Sequence, residues 1–169
     1  MISEKLEKAF NEQINKELYS EYLYLAMKTY FVELNLNGFV NWFDVQIQEE
    51  RAHGMGMYDY VHQRGGKVEL SALAKPEVKG KTPLEVFKQV IEHEEYVTSR
   101  INELMDIAEE VKDRASLAFL NWYIKEQVEE EAAAGRVLAV LKLIGDDKNA
   151  LLLLDKELSS RVFNAPVIE

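Results

Sequence analysis

The sequence predicts an all-α fold: a four-helix bundle with one long crossover and a short fifth helix at its C-terminal end. Three observations carry that prediction. Apolar residues recur in steps of three and four through most of the 169 residues. Only three Pro and eight Gly occur, and most cluster between the periodic segments. The connections alternate short, long and short, which sets the direction of each helix.

The first helix is predicted from about Ser3 to Leu34. Leu6, Phe10, Ile14, Glu17, Glu21, Tyr24 and Lys28 mark its inward row, and Leu18 and Leu25 widen the apolar face. Asn35-Leu36-Asn37-Gly38 breaks it. The second helix then runs to Arg64, where Gly65-Gly66 is a strong C-terminal stop. An irregular segment, Lys67 to Lys81, carries Pro76 and Gly80. Thr82-Pro83-Leu84-Glu85 restarts helix with an N-cap Thr, a Pro at the first helical position and a Glu closing a capping box. This third helix continues to about Val111. Asp113 is the expected N-cap of a fourth helix ending at Ile144-Gly145. A fifth helix, Lys148 to Ser159, and a tail reaching Glu169 complete one domain over 1–169, with the bundle at 3–145, the fifth helix at 148–159 and the tail at 160–169.

Helices of about 28 residues are roughly 42 Å long. The links between the first and second, and the third and fourth, are too short for anything but antiparallel neighbours. The middle link of about 16 residues can extend roughly 50 Å and so span the bundle. Helices two and three are therefore expected to run parallel. The fifth helix is apolar nearly all round at Ala150, Leu151, Leu152, Leu153, Leu154 and Leu158, yet too short to cross a bilayer. It reads as a lid over one bundle end or as a contact between subunits; its lack of a clear polar face favours the contact.

Composition narrows the function. Apolar residues make up 47% and charged residues 30%, the profile of a globular chain. The absence of cysteine excludes disulfides, thiolate metal sites and thiol catalysis, and fits a reducing compartment. Met1-Ile2-Ser3-Glu4-Lys5-Leu6 lacks the apolar core of a signal peptide, so a cytoplasmic location and no membrane span are expected. The net charge of −10 argues against a nucleic-acid surface and is compatible with attracting cations.

The inward positions carry the chemistry. Gln48-Glu49-Glu50-Arg51-Ala52-His53 sets a Glu and a His three apart on the stripe that also holds Phe39, Phe43, Ile47, Met57 and Val61. The first helix places Glu17 on its inward row. The third reads Phe87, Val90, Glu94, Val97, Ile101, Leu104, interrupted once by Glu94, and the fourth reads Leu120, Ile124, Gln127, Glu130, Ala134, Val137. Each acid stands near its helix midpoint, so Glu17, Glu50, Glu94 and Glu130 meet in one layer whichever way the helices run. Four inward carboxylates and an imidazole cannot stay dry and ionised without cations. Two divalent ions would neutralise them, and a carboxylate-rich set with one His suits iron, manganese or zinc. The bland alternative is partial solvation in a groove, with Arg or Lys partners.

The pattern Glu17, Tyr24, Glu50-x-x-His53, Glu94 and Gln127-x-x-Glu130 resembles the ferroxidase centre of the non-haem prokaryotic ferritins, and the similarity covers essentially the whole chain. The resemblance implies that Glu17, Glu50 and His53 hold one iron and that Glu50, Glu94 and Glu130 hold a second, with Glu50 as the bridge. It sets Gln127 beside the pair and Tyr24 within hydrogen-bonding reach of a ligand, as the catalytic candidates. A third, more mobile site is matched by Glu49, Glu126 and Glu129 with Glu130, although on sequence alone these read as a solvated acidic face. Arg51 and Ala52 fill the place where haem-binding relatives carry a Met, so no haem is expected. Asp59-Tyr60-Val61-His62 repeats the acid–His spacing without matched acids elsewhere and reads as surface; His93 turns about 100° away from Glu94 around its helix.

The activity implied is iron storage with ferroxidase chemistry: Fe(II) and O2 as substrates, and Fe(III) mineral held inside a homo-oligomeric shell of 24 subunits with the fifth helix near its fourfold axes. Zinc or manganese could substitute for iron. Two rivals stand beside this reading, a di-metal oxidase or peroxidase without storage and a bundle that buffers metal without redox turnover. The fifth helix and the lack of an attached redox domain count against the oxidase.

Overall fold

The computed structural model describes residues 1–168. Glu169, the last residue of the tail, lies outside the described residues. Among the described residues five helices follow in order: α1 (Glu4–Glu33), α2 (Asn37–Gln63), α3 (Pro83–Glu110), α4 (Arg114–Ile144) and α5 (Lys148–Leu158). No helix among the described residues is long and apolar enough to cross a membrane.

The caps explain the boundaries. Ser3 Oγ accepts from the Leu6 amide, Thr82 Oγ1 from Glu85 and Asp113 Oδ1 from Ser116, each satisfying an amide that the first helical turn leaves unpaired. Glu85 returns to the amide of Lys81, one residue ahead of the cap. Left-handed residues close the C-termini at Asn35 (φ 57°), Gly65 (φ 72°), Lys112 (φ 57°) and Gly145 (φ 55°). The break after α1 is narrower than Asn35-Leu36-Asn37-Gly38 suggests, because Asn37 and Gly38 already belong to α2. That helix has no side-chain cap of its own. Instead Asp155 of α5 accepts from the amides of Gly38 and Phe39 at 2.8 and 3.0 Å, a cap from a distant part of the chain.

Two apolar cores fix the topology. One joins the end of α1 (Met27, Phe31), the start of α2 (Phe39, Phe43), the start of α3 (Phe87, Val90) and the end of α4 (Val137, Leu141). The other joins the start of α1 (Leu6, Phe10), the end of α2 (Met57, Val61), the end of α3 (Ile101, Leu104) and the start of α4 (Phe119, Leu120). Helices α2 and α3 therefore run parallel, as the connection lengths require. The crossover between them lies along α1. Asn11 holds the carbonyl of Lys67 and the amide of Glu69, Asn15 the carbonyls of Ser71 and Ala72, and Tyr30 the carbonyl of Lys81.

The inward row of α1 differs in detail from the sequence expectation. Ser20, Tyr24, Met27 and Phe31 are buried, whereas Glu21 and Lys28 sit at the rim and pair with Arg51 and Asp44 of α2. The 3.6-residue turn moves the row back by one position at each of those steps. Leu25 is exposed rather than widening the core.

Helix α5 docks one face only. Leu154 is buried and Leu151 and Leu158 pack on the first core, while Leu152 and Leu153 are 59% and 71% exposed. Beyond it the tail is laid between α2 and α4: Pro166 and Ile168 line a groove there with Gly56 and Phe119. A Cβ on Gly56 would stand 2.6 Å from Ile168 Cδ1, so the glycine admits the tail.

Candidate metal centre

Between the two apolar cores lies one polar layer. Glu17, Glu50, His53, Glu94, Gln127 and Glu130 are all buried in it, joined by Gln13, Ser20 and Gln46. All four helices contribute, each from near its middle.

The ligating atoms form two adjoining groups. Glu17, Glu50 and His53 make the first, and His53, Glu126 and Glu130 the second, with one ligating atom from each member lying within 4.8 Å of the others. The imidazole stands between the groups. Nδ1 lies 4.0 Å from Glu17 and 3.9 Å from Glu50, and Nε2 lies 3.8 Å from Glu126. Trp122 meets the His53 ring edge-on, and Tyr123 donates to the His53 carbonyl at 2.8 Å. The residue is thereby fixed on both its side-chain and backbone sides.

Burial decides the charge states. It pushes Glu17 up to about 7, against the lowering bonds from Gln13 and Glu50. It pushes Glu94 up to about 8 and Glu130 to about 7, the neighbouring carboxylates adding to the rise. Glu50 is driven well above the ordinary carboxylate range by burial first and then by Glu94, Glu17 and Glu130. His53 falls to about 4 through burial, so its ring is neutral near pH 7 and keeps a lone pair for a metal. Without a cation the layer holds protons that a metal ion would displace.

Amides brace the acids. Gln13 donates to Glu17 at 2.7 Å; Gln46 donates to Glu130 at 2.7 Å and to Glu50 at 3.4 Å. Both glutamines precede a core Glu by four residues, the helical spacing at which an amide reaches a carboxylate. That Gln-x-x-x-Glu repeat is the sequence signal that marks them. Three polar atoms of the layer remain without a partner in the protein: Gln13 Oε1, and, on the candidate ligands themselves, Glu50 Oε2 and His53 Nε2. Buried polar atoms of this kind are costly unless something else satisfies them. Oxygen donors with one imidazole are the donor set expected of iron, manganese or zinc, and two of the orphaned atoms sit on candidate ligands, Glu50 and His53.

The other residues that the sequence singles out stand as follows. Tyr24 donates to Glu94 and is itself held firmly protonated by burial and that carboxylate. Gln127 donates to Glu94 and Thr98 at 3.3 Å each, so it braces a carboxylate. Of the outer acids, Glu126 is brought to His53 and Glu130, Glu49 is held by Arg161, and Glu129 is exposed. Asp59 and His62 are exposed. His93 turns to Ser20, 2.8 Å away, and packs edge-on against Tyr24, away from the ligating atoms.

The family model for the Ferritin-like domain matches residues 7–144. The bacterial non-heme ferritin of Staphylococcus aureus (strain MRSA252) is 42% identical over 164 residues, 97% of this chain and 99% of the relative. That of Staphylococcus haemolyticus (strain JCSC1435) is 40% identical over the same shares. Among solved structures, an open pore ferritin from the hyperthermophilic archaeon Archaeoglobus fulgidus superposes with a TM-score of 0.94 at 53% identity, covering 96% of this chain and 100% of that one. A closed form of the Archaeoglobus fulgidus ferritin engineered by mutagenesis gives 0.95 at 52%, covering 97% and 100%.

Proposed function

The chain belongs to the ferritin family, on its non-haem prokaryotic branch, and from that premise we propose that it stores iron and oxidises it on entry. Two Fe(II) ions are the substrate. Glu17, Glu50 and His53 hold one, Glu50, Glu94 and Glu130 the other, and each ion gives one electron to dioxygen. The observation that carries the reading is the orphaned pair, Glu50 Oε2 and His53 Nε2, buried at the centre of a four-carboxylate layer.

The chain's own groups have separable tasks. Gln13 and Gln46 fix the rotamers of Glu17, Glu50 and Glu130, so the ligands are set before iron arrives. Tyr24 and Gln127 do the same for Glu94. The neutral ring of His53 supplies a lone pair, and the carboxyl protons leave as iron enters. Glu126 and Glu49, with Glu129 and Glu130, form an outer position through which Fe(III) passes on its way from the pair. Outward leucines on α5 support assembly into an oligomeric shell, for which the family arrangement of 24 copies in the cytoplasm is the natural one.

Aerobic Fe(II) loading followed by size exclusion, with iron and protein measured in each fraction, tests this. Storage requires far more iron than any ligand set can hold, co-eluting with a very large particle. If only a couple of ions per chain remain bound and the excess precipitates, storage is wrong, and a di-metal oxidase takes its place provided oxygen is still consumed.

A further inference from the structure

Just past α5, Arg161 reaches back to one stripe of α2. Its guanidinium lies over the Trp42 ring, 4.9 Å from the centroid. One arm donates to Gln46 Oε1 at 2.9 Å and to the Trp42 carbonyl at 3.3 Å; the other donates to Glu49 Oε2 at 2.5 Å. Trp42, Gln46 and Glu49 are spaced by four and three, so one helix face grips the whole side chain. The backbone is held as well. Asn41 Nδ2 donates to the carbonyls of Leu158 and Arg161 at 3.1 and 2.9 Å. The cation is aimed at the acids rather than left in solvent.

Its position bears on metal loading. Side-chain exposure is 24% for Arg161 and 19% for Glu49, so the pair is largely shielded from water. The same positive charge works against the upward push on Glu49, Glu126 and Glu130. Through Gln46, whose other end donates to Glu130 and Glu50, it also touches the inner layer. A guanidinium carries its charge at every relevant pH; it holds Glu49 Oε2 and repels a metal ion a few ångströms away, so it works against metal binding at that carboxylate.

We propose that Arg161 is a built-in counter-cation of the outer acidic position: it occupies Glu49 in the metal-free protein and competes with a metal ion for that carboxylate, so loading the position releases the C-terminal segment. This rests on the reading of Glu49, Glu126, Glu129 and Glu130 as a metal position. None of the inner ligands Glu17, Glu50 and His53 touches Arg161 directly, and Glu50 and Glu130 meet it only through Gln46, so the competition falls chiefly on the outer ion. The tail thereby becomes a sensor of the outer site, tied down when it is empty and loosened when it is filled.

The test uses the assembled, metal-free, full-length protein and Zn(II) as a redox-inert probe, titrated calorimetrically. Removing one charge-assisted hydrogen bond that competes for the same oxygen tightens the weakest ion by about tenfold. Arg161→Ala should do so while leaving the two tighter ions within about twofold of native. Arg161→Lys, which keeps the charge without the fork, should fall between them. With Glu49→Gln in the background, native and Arg161→Ala should become indistinguishable. A second readout is amide exchange: saturating Zn(II) should speed exchange across 160–168 in the native protein and leave the already loose tail of Arg161→Ala unchanged. A third-ion affinity that stays equal or weakens in Arg161→Ala overturns the proposal, as does a tail indifferent to metal. If native and variant both bind two ions and no more, the competition idea falls and the di-metal centre stands. If neither binds even those two, it is the metal-centre reading itself that falls.

Discussion

A buried acid layer makes single residues govern how the metal-free protein responds to pH. Glu17 and Glu130 keep their protons to about 7 and Glu94 to about 8 in the folded chain, against an ordinary value of 4.5. The folded state therefore holds more protons than the unfolded one through that window, and stability falls as pH rises across it. His53 and His93, both lowered to about 4 by burial, act in the opposite sense, but only below the ordinary histidine value of 6.5. Between pH 6.5 and 8 the carboxylates act alone, and denaturant unfolding of metal-free protein should show lower stability at the higher pH. Glu94→Gln keeps an acceptor for Tyr24 and removes one ionisation. It should flatten that slope and raise metal-free stability at pH 8 by roughly 1–3 kcal/mol; a steeper slope in the variant would contradict the assignment. Glu50→Ala should slow initial Fe(II) oxidation by at least about tenfold with the particle size unchanged, and normal rates would remove Glu50 from the bridging role. The acids were legible because a charge on an apolar stripe is an anomaly visible at helical spacing. Arg161 was not, since nothing local says that a tail residue folds back onto Glu49, more than a hundred positions earlier in the chain.

Among the elements, turn chemistry was legible wherever the cap was local and illegible where it came from afar. Ser3, Thr82 and Asp113 announce their helices in sequence. The start of α2 does not, because its capping carboxylate belongs to Asp155. Gly38 shows how tight that docking is: a Cβ there would lie 1.5 Å from the Asp155 carbonyl oxygen. Gly38→Ala should therefore lift α5 off the bundle and expose the start of α2, read as faster amide exchange over 148–158 with the rest of the bundle protected. Protection as in the native protein would mean that α5 can dock another way. The α3–α4 turn offers the opposite opportunity. Lys112 holds a left-handed conformation, φ 57°, that costs a side chain with a Cβ and costs glycine little. Lys112→Gly should raise stability by about 0.5–1 kcal/mol, provided the gain at the turn exceeds the added freedom of the unfolded chain. Its readout is the denaturant midpoint at constant slope.

For the whole molecule, topology follows from the lengths of the connections, but association depends on surfaces that periodicity describes poorly. The sequence shows a fifth helix apolar nearly all round. Only in the fold do its leucines divide, with Leu154 docked on the bundle and Leu152 and Leu153 turned outward. A chain carrying a net charge of −10 repels its own copies, so apolar contact has to outweigh that repulsion in an assembly. Burying a leucine side chain contributes about 1.5–3 kcal/mol, and a symmetric shell repeats the gain at every copy of the contact. Leu153→Glu removes that gain and adds one more negative charge to each copy. Size exclusion at micromolar concentration should then find small species in place of a large particle. Helix content by circular dichroism should be retained, because Leu153 is 71% exposed in the isolated subunit and contributes little to its core. Zn(II) binding at the inner layer should also survive, since Glu17, Glu50, His53, Glu94 and Glu130 all come from one chain. Iron loaded into the variant should be oxidised and then precipitate, which separates the centre that oxidises from the shell that stores. A variant that still elutes as a large particle with its iron inside would show that the outward face of α5 is not the contact holding the shell together.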